Sequence, residues 1–285
     1  MSVISPDTAL VLEGGGMRGF YTIGVLDYFL DEGITFPAVY AVSAGSCHAM
    51  SYLSGQRGRA YRVGVDYLDD WRYCSKRSLL LTGDLFGADF LYNKIPNELY
   101  PFDYAAFAAN PTKMYAVVSN LETGAADYIP VEDGARDILY VRASSSMPLV
   151  SRIVKTPRGK LLDGGVCDSI PVRRAFADYA RAVVVLTQPA GFVKEKSSSV
   201  KLIAARYARY PKFVEAAARR HIDYNESLAA CDAAAADGRA LVLRPSVKLG
   251  VSRLEKDRAK LHALYERGYA DAKAAGVAAF LGDRC

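Results

Sequence analysis

The chain has 285 residues, of which 51 % are hydrophobic, 24 % charged and 11 % aromatic. This is ordinary usage for a packed globular protein and excludes disordered, collagen-like and coiled-coil classes. The formal net charge of +5 is mild, and no recognition motif for nucleic acid accompanies it. The charge is unevenly placed. Lys194–Arg220 holds eight basic residues against Glu195 and Glu215, so this one stretch is worth +6. Length alone suggests about two domains, but a single α/β core often takes roughly 250 residues. One domain over 1–285 with a helical insertion at about 188–238 is the expectation. Apolar runs such as Ala182–Leu186 and Ala274–Leu281 fall far short of the roughly 20 residues of a membrane span. Met1-Ser-Val-Ile-Ser-Pro6 has neither a basic nor an apolar leader segment, so a cytoplasmic location is expected. Cys47, Cys74, Cys167, Cys231 and Cys285 are odd in number and never form a C-x-x-C pair, so reduced thiols are expected and neither a disulfide framework nor a zinc site is.

In chain order, Ala9–Leu12 reads as a strand and runs into Glu13-Gly-Gly-Gly-Met-Arg-Gly19. Phe20, Ile23, Leu26, Phe29 and Leu30 then recur at helical spacing until Gly33. Ala38–Val42 is a second strand, and Ser43 opens a helix that ends near Ser54-Gly55. Residues 56–110 mix arginines and aromatics with Gly and Pro; helices are expected there without definite bounds. Tyr115–Ser119 and Asp127–Pro130 flank Glu122-Thr-Gly124 as a hairpin. Lys160–Leu162 is a short strand ending at Asp163-Gly-Gly165, and Ala182–Thr187 is a continuous apolar strand of the doubly buried type. The basic segment is helical and tyrosine-bearing, Ala240–Leu243 is a last strand, and Leu254, Leu261, Leu264 and Tyr265 mark a closing helix. Strands alternating with helices imply a mostly parallel sheet covered on both faces.

Three short motifs could carry chemistry. Gly14-Gly-Gly-Met-Arg-Gly19 satisfies G-x-G-x-x-G between a strand and a helix, but a dinucleotide site also needs an acidic residue at the end of the second strand. Asp31 and Glu32 lie before that strand, which ends in Val42-Ser43. The loop therefore offers a set of backbone N–H groups suited to a phosphate or an oxyanion, or simply tight strand-to-helix packing. Ala41-Val-Ser-Ala-Gly45 is one residue short of G-x-S-x-G, the sharp turn that exposes a nucleophilic serine; Ser43 could otherwise be a helix cap. A serine nucleophile needs a base. Of the three histidines, His48 stands five residues on in the same helix, about 140° around its axis, and His221 and His262 carry no motif. A carboxylate must serve instead, and Asp163 before Gly164-Gly165 is the best placed.

A G-G-G-x-R-G loop after the first strand, a serine turn after the second and Asp-Gly-Gly about 120 residues later together resemble the patatin-like phospholipase family. Arg152 to Pro171, Arg244-Pro-Ser246 through Glu255-Lys-Asp257, and Gly268-Tyr-Ala-Asp271 extend the likeness. The resemblance implies a three-layer α/β/α sandwich and a Ser-Asp dyad lipid acyl hydrolase that needs no metal or cofactor. It assigns Ser43 as nucleophile, Asp163 as base, and the amides of Gly14, Gly15 and Gly16 as oxyanion hole, with Arg18 supporting that loop. Ala41 in place of glycine is the departure. Substrates would be phospholipid, lysophospholipid or another acyl ester. Lys201, Arg206, Arg209 and Lys212, interleaved with Tyr207, Tyr210 and Phe213, offer peripheral contact with an anionic membrane. The rival readings are a non-catalytic lipid binder on the same fold, an acyltransferase or thioesterase using the same serine, and, last, a nucleotide-dependent oxidoreductase.

Overall fold

The computed structural model describes residues 3–246 and 250–282. Its elements in order are β1 (Val3–Ile4), β2 (Thr8–Leu12), α1 (Phe20–Asp31), β3 (Ile34–Thr35), β4 (Ala38–Val42), α2 (Ala44–Leu53), α3 (Arg59–Asp66) and α4 (Lys76–Thr82). A π-helical segment, Phe90–Leu99, precedes α5 (Tyr104–Ala109), β5 (Lys113–Asn120), β6 (Ala126–Val131), α6 (Ile138–Ser144), β7 (Val154–Thr156) and β8 (Gly159–Asp163). The remainder is α7 (Val172–Asp178), β9 (Arg181–Val185), α8 (Val200–Arg206), α9 (Pro211–Ala236), β10 (Ala240–Leu243), α10 (Arg258–Ala274) and α11 (Val277–Gly282). Cys47, Cys74, Cys167 and Cys231 carry free thiols; Cys285 lies outside the described residues.

The main sheet runs β10-β9-β2-β4-β5-β8-β7, with β6 also pairing β5. From β10 to β5 every pairing is parallel, and the pairings of β5 with β6 and β8 and of β8 with β7 are antiparallel. Successive strand residues point to opposite faces, and here both faces are apolar. Leu10, Leu12, Val39, Ala41, Val183 and Val185 join the core beneath α1, α2 and α10. Ala9, Val11, Ala38, Tyr40, Ala182 and Val184 face the other way, onto Val172 of α7 and Tyr224 and Cys231 of α9. Burial on both sides is why these strands read as continuous apolar runs. The result is an α/β/α sandwich. The segment expected as an insertion supplies α9, a covering helix of one layer. β7 and the parallel pair β1–β3 escaped the reading, being two or three residues long.

Between 56 and 110 the chain forms α3, α4, the π-helical segment and α5, all on the α2 side of the sheet. Pro96 stands inside the π-helical segment, where a residue without an N–H removes a helical hydrogen bond and favours the wider turn.

Helices α1 and α10 pack face to face with almost no side-chain spacer. A Cβ on Gly24 would lie 2.0 Å from the Tyr265 carbonyl oxygen, and one on Gly268 would lie 2.0 Å from that of Tyr21. Three tyrosine hydroxyls tie the pair together: Tyr21 donates to Asp271 at 3.3 Å, Tyr265 to Asp27 at 3.0 Å and Tyr269 to Asp31 at 3.0 Å. The Gly-Tyr-Ala-Asp run of α10 is thus the complement of α1. Gly268→Ala is expected to lower stability by about 1–3 kcal/mol, the cost of overpacking, measurable as a reduced midpoint in urea unfolding.

Candidate active site

Ser43 follows β4 and Asp163 ends β8, two strands that are not neighbours; both pair with β5. The register sets Val42 opposite Val117 and Asp163 opposite Val118, so the two residues rise on either side of one point of β5. Ser43 adopts φ 54, ψ −126, a positive φ rare for any residue other than glycine. This is the strained turn that lifts a serine hydroxyl clear of the sheet. Ala41 does not prevent it: its side chain is 0 % exposed and is absorbed into the core under α2. On the other side, Gly164 lies flat on β5, where a Cβ would come within 2.1 Å of the Val117 carbonyl oxygen. The Asp-Gly-Gly run therefore lets the carboxylate lean across β5.

The two side chains meet. Ser43 Oγ donates to Asp163 Oδ2 at 2.8 Å, and Gly165 N–H donates to the other carboxylate oxygen at 2.8 Å. The Ser43 amide is held by Ser144 Oγ at 2.8 Å, which itself donates to the Val117 carbonyl at 2.6 Å. Asp163 N–H donates to Ser146 O at 2.8 Å, and Ser119 Oγ donates to Asp163 O at 2.8 Å. Ser119, Ser144 and Ser146 were missed by the sequence reading. The only signal for Ser144 and Ser146 was the run Ala143-Ser-Ser-Ser-Met-Pro148, and Ser119, inside the apolar run of β5, carried none. Asp163 is 7 % exposed, and burial raises its carboxyl above the usual range despite the hydrogen bonds from Ser43 and Gly165 and the nearby Arg220 charge.

The glycine loop passes over Ser43. A Cβ on Gly14 would lie 2.8 Å from Ser43 Cβ, and Gly16 has φ +57, so the loop requires glycine for close approach at one position and for conformation at the other. Met17 N–H donates to the Arg253 carbonyl at 3.1 Å. The amides of Gly14, Gly15 and Gly16 make no hydrogen bond to another described residue. Arg18 reaches into a polar recess beside Glu13, with its Nε buried and unpaired. Thr187 N–H and Oγ1–H and the Tyr224 hydroxyl donate to the Glu13 carboxylate at 2.6, 3.0 and 2.7 Å.

His48 is no part of the Ser43–Asp163 pair. It packs against Gly19, its Nε2 has no partner among the described residues, and burial lowers its imidazole to about 4. His262 of α10 shares a 2.9 Å hydrogen bond with Tyr61 of α3.

Ser43 stands where two cavities meet. One, of about 160 Å³, is walled by apolar side chains such as Phe20, Val63, Tyr73, Leu91, Ile95 and Val141. Residues 56–110 supply nearly half of its lining. The other is polar and cationic, and includes Gly14, Gly15, Gly16, Ser43, Asp163, Arg18, Lys194, Arg220 and Arg253. Lys194 and Arg220, the two ends of the basic stretch, turn inward here. Tyr207 and Phe213 are 2 % and 0 % exposed and pack on Leu162 and Val166, so for these two rings the expected membrane contact is corrected, while Tyr210 is half-buried against the same cluster. Their helical spacing served packing against the sheet rather than a lipid surface.

Because the strain at residue 43 lies in the backbone, Ser43→Gly is expected to be more stable than Ser43→Ala by about 1 kcal/mol, read from paired urea titrations.

The family model described as Patatin-like phospholipase matches residues 10–176, from β2 to α7, a span that contains Ser43 and Asp163. A second model, Domain of unknown function (DUF6363), matches residues 210–276, from α9 into α10. Uncharacterized protein YjjU of Escherichia coli (strain K12) is 31 % identical over 183 residues, covering 62 % of this chain and 51 % of YjjU. The chain thus spans about half the length of the curated relative it matches. VipD from Legionella pneumophila aligns with a TM-score of 0.43 at 12 % identity, over 95 % of this chain and 67 % of VipD. The type III effector protein ExoU aligns with a TM-score of 0.43 at 13 % identity, over 98 % of this chain and 54 % of ExoU. Likenesses this distant bear on nothing at the site. With its family model matched over more than half of its length, this chain belongs to the patatin-like phospholipase family.

Proposed function

We propose that the protein is a lipid acyl hydrolase in which Ser43 is the nucleophile and Asp163 its base. The observation that carries this reading is the 2.8 Å hydrogen bond from Ser43 Oγ to a buried Asp163, at the junction of an apolar and a cationic cavity. The acyl chain lies in the apolar cavity, which brings the ester carbonyl to Ser43. As Oγ attacks, Asp163 takes its proton, and the new C–O bond forms an oxyanion. The amides of Gly14, Gly15 and Gly16 hold that oxyanion; each such donor is typically worth about 10²–10³ in rate. Collapse breaks the ester C–O bond, Asp163 returns the proton to the leaving alcohol, and an acyl-Ser43 enzyme remains. Water, deprotonated by the same carboxylate, releases the fatty acid. Burial serves this chemistry by raising the basicity of Asp163, since an ordinary aspartate with a pKa of about 3.9 is a weak acceptor for a serine proton.

Intact-mass analysis after fluorophosphonate treatment is expected to show one adduct, absent in Ser43→Ala. Asp163→Asn is expected to keep a cooperative thermal transition and to lose at least about 10³-fold in turnover; most of the activity surviving would remove Asp163 from the mechanism. Only ionised Asp163 accepts the proton, so kcat/KM is expected to fall as pH drops through its raised pKa. The acid limb then lies above the roughly 3.9 of an ordinary aspartate, and a pH–rate profile on a soluble ester places it.

A further inference from the structure

The apolar cavity beside Ser43 runs along α2: Ser43, Cys47 and Ser51, each four residues from the next, all line it. At 1.5 Å per residue, Ser51 stands about 12 Å along the helix from the nucleophile. Arg59, the first residue of α3, meets the cavity at that depth. Its Nη1 donates to Ser51 Oγ at 3.3 Å and its Nη2 to the Tyr100 carbonyl at 2.9 Å. No acidic residue lines this cavity, and Arg59 is its one charged group at neutral pH, because burial keeps His48 uncharged there.

Arg59 is buried without a countercharge. The residue is 9 % exposed, and its Nε has no hydrogen-bond partner among the described residues. The ion pairs among the described residues do not include it. Burial lowers its basicity, and the groups that act against this are the tyrosines at 104, 100 and 67 rather than a carboxylate. The centres of the Tyr100 and Phe102 rings lie 5.8 and 5.2 Å from its guanidinium carbon. Buried charges in proteins are as a rule paired. Tying α2 to the turn at Tyr100 occupies two of five N–H donors and gives no reason for a positive charge at the end of an apolar cavity.

We propose that Arg59 receives a carboxylate at the far end of the acyl chain, so that the protein prefers acyl esters whose chain ends in a carboxylate over those ending in a methyl group. The proposal rests on the hydrolase reading and concerns the acyl half of the substrate, not its alcohol. The chain is then held at both ends, its carbonyl at Ser43 and its terminal carboxylate at Arg59, with the methylenes against the apolar wall. Guanidinium matches a carboxylate through paired, charge-assisted hydrogen bonds. Without such a partner a carboxylate is excluded from an apolar cavity by the cost of leaving water. Hydrolysis of the acyl-Ser43 enzyme releases a dicarboxylate.

The test uses two pairs of p-nitrophenyl esters: the azelaic half ester with the nonanoate, equal in length and differing in the terminal carboxylate, and the shorter glutaric half ester with the valerate. The full chain is expected to favour the azelaic over the nonanoic ester at least about tenfold in kcat/KM, and to show no such preference in the short pair, whose carboxylate does not reach Arg59. Arg59→Met is expected to erase the long-pair ratio, chiefly through KM, whereas Lys155→Gln, on the exposed side of β7, is expected to keep it. Equal rates in the long pair, or a ratio untouched by Arg59→Met, overturn the proposal. The same preference in the short pair assigns it to the cations nearer Ser43 and also overturns it. Should Arg59→Met fail to fold, the charge is removed from the ligand instead: capping the azelaic carboxylate as its methyl ester is expected to abolish the preference, and its persistence overturns the proposal. Competitive inhibition by free nonanoate, without preference between the long esters, assigns Arg59 to a free fatty acid and overturns this substrate class. Should none of the esters be cleaved, the hydrolase reading is what fails. Calorimetric titration of Ser43→Ala with the long pair then decides Arg59 separately, with tighter binding of the azelaic ester supporting the seat and equal binding overturning it.

Discussion

The hydrogen bond between Ser43 and Asp163 crosses a strand, and the site is arranged around that crossing. The two residues end strands separated by β5, a gap of about 10 Å between backbones at the usual strand spacing. Closing it takes a strained turn at Ser43 on one side and a glycine lying flat on Val117 on the other. Ser144 then fixes the turn from below by binding both the Ser43 amide and the Val117 carbonyl. Strain of this kind persists only where its surroundings over-determine it. Here two buried hydroxyls and a doubly covered sheet do so.

The sandwich supplies this rigidity and, at the same place, two different solvents. On the α2 side, residues 56–110 help wall an apolar cavity; on the α9 side, the loop before α8, helix α9 and the loop before α10 bring Lys194, Arg220 and Arg253 to a second cavity that Ser43 also lines. Ser43 therefore stands between an apolar recess and a cationic one. The carboxylate in the middle is kept basic by burial and kept in place by Gly165 and Ser43. Arg220 couples the halves: it faces the cationic recess and also holds the Gly165 carbonyl, one residue from the flat glycine.

Much of the fold was legible because its signals are local. β2, β4, β9 and β10 announce themselves as apolar runs, and the glycine loop, the serine turn and Asp-Gly-Gly stand at their ends. The bounds differ by a residue or two at β5, β6 and β9. Residues 56–110 were opaque for a physical reason: their helices are short, one is a π-helical segment holding Pro96, and the apolar residues they send to the core, such as Leu68, Phe90, Ile95 and Phe107, are too scattered to show a helical period. The basic stretch 194–220 misled in the opposite direction. Composition counts its charges but is blind to direction, and only packing on Leu162 and Val166 turned Tyr207 and Phe213 inward, with Lys194 and Arg220 toward the serine.

By itself the sequence determined the α/β class, the strand–loop–helix order and the three motifs that could do acyl chemistry, since each depends on residues adjacent in the chain. The pairing of Ser43 with Asp163, the serine scaffold beneath it and the meeting of an apolar and a cationic cavity were decided by tertiary structure. These depend on strand register and on which face a helix buries, and both are set by contacts between residues about a hundred positions apart.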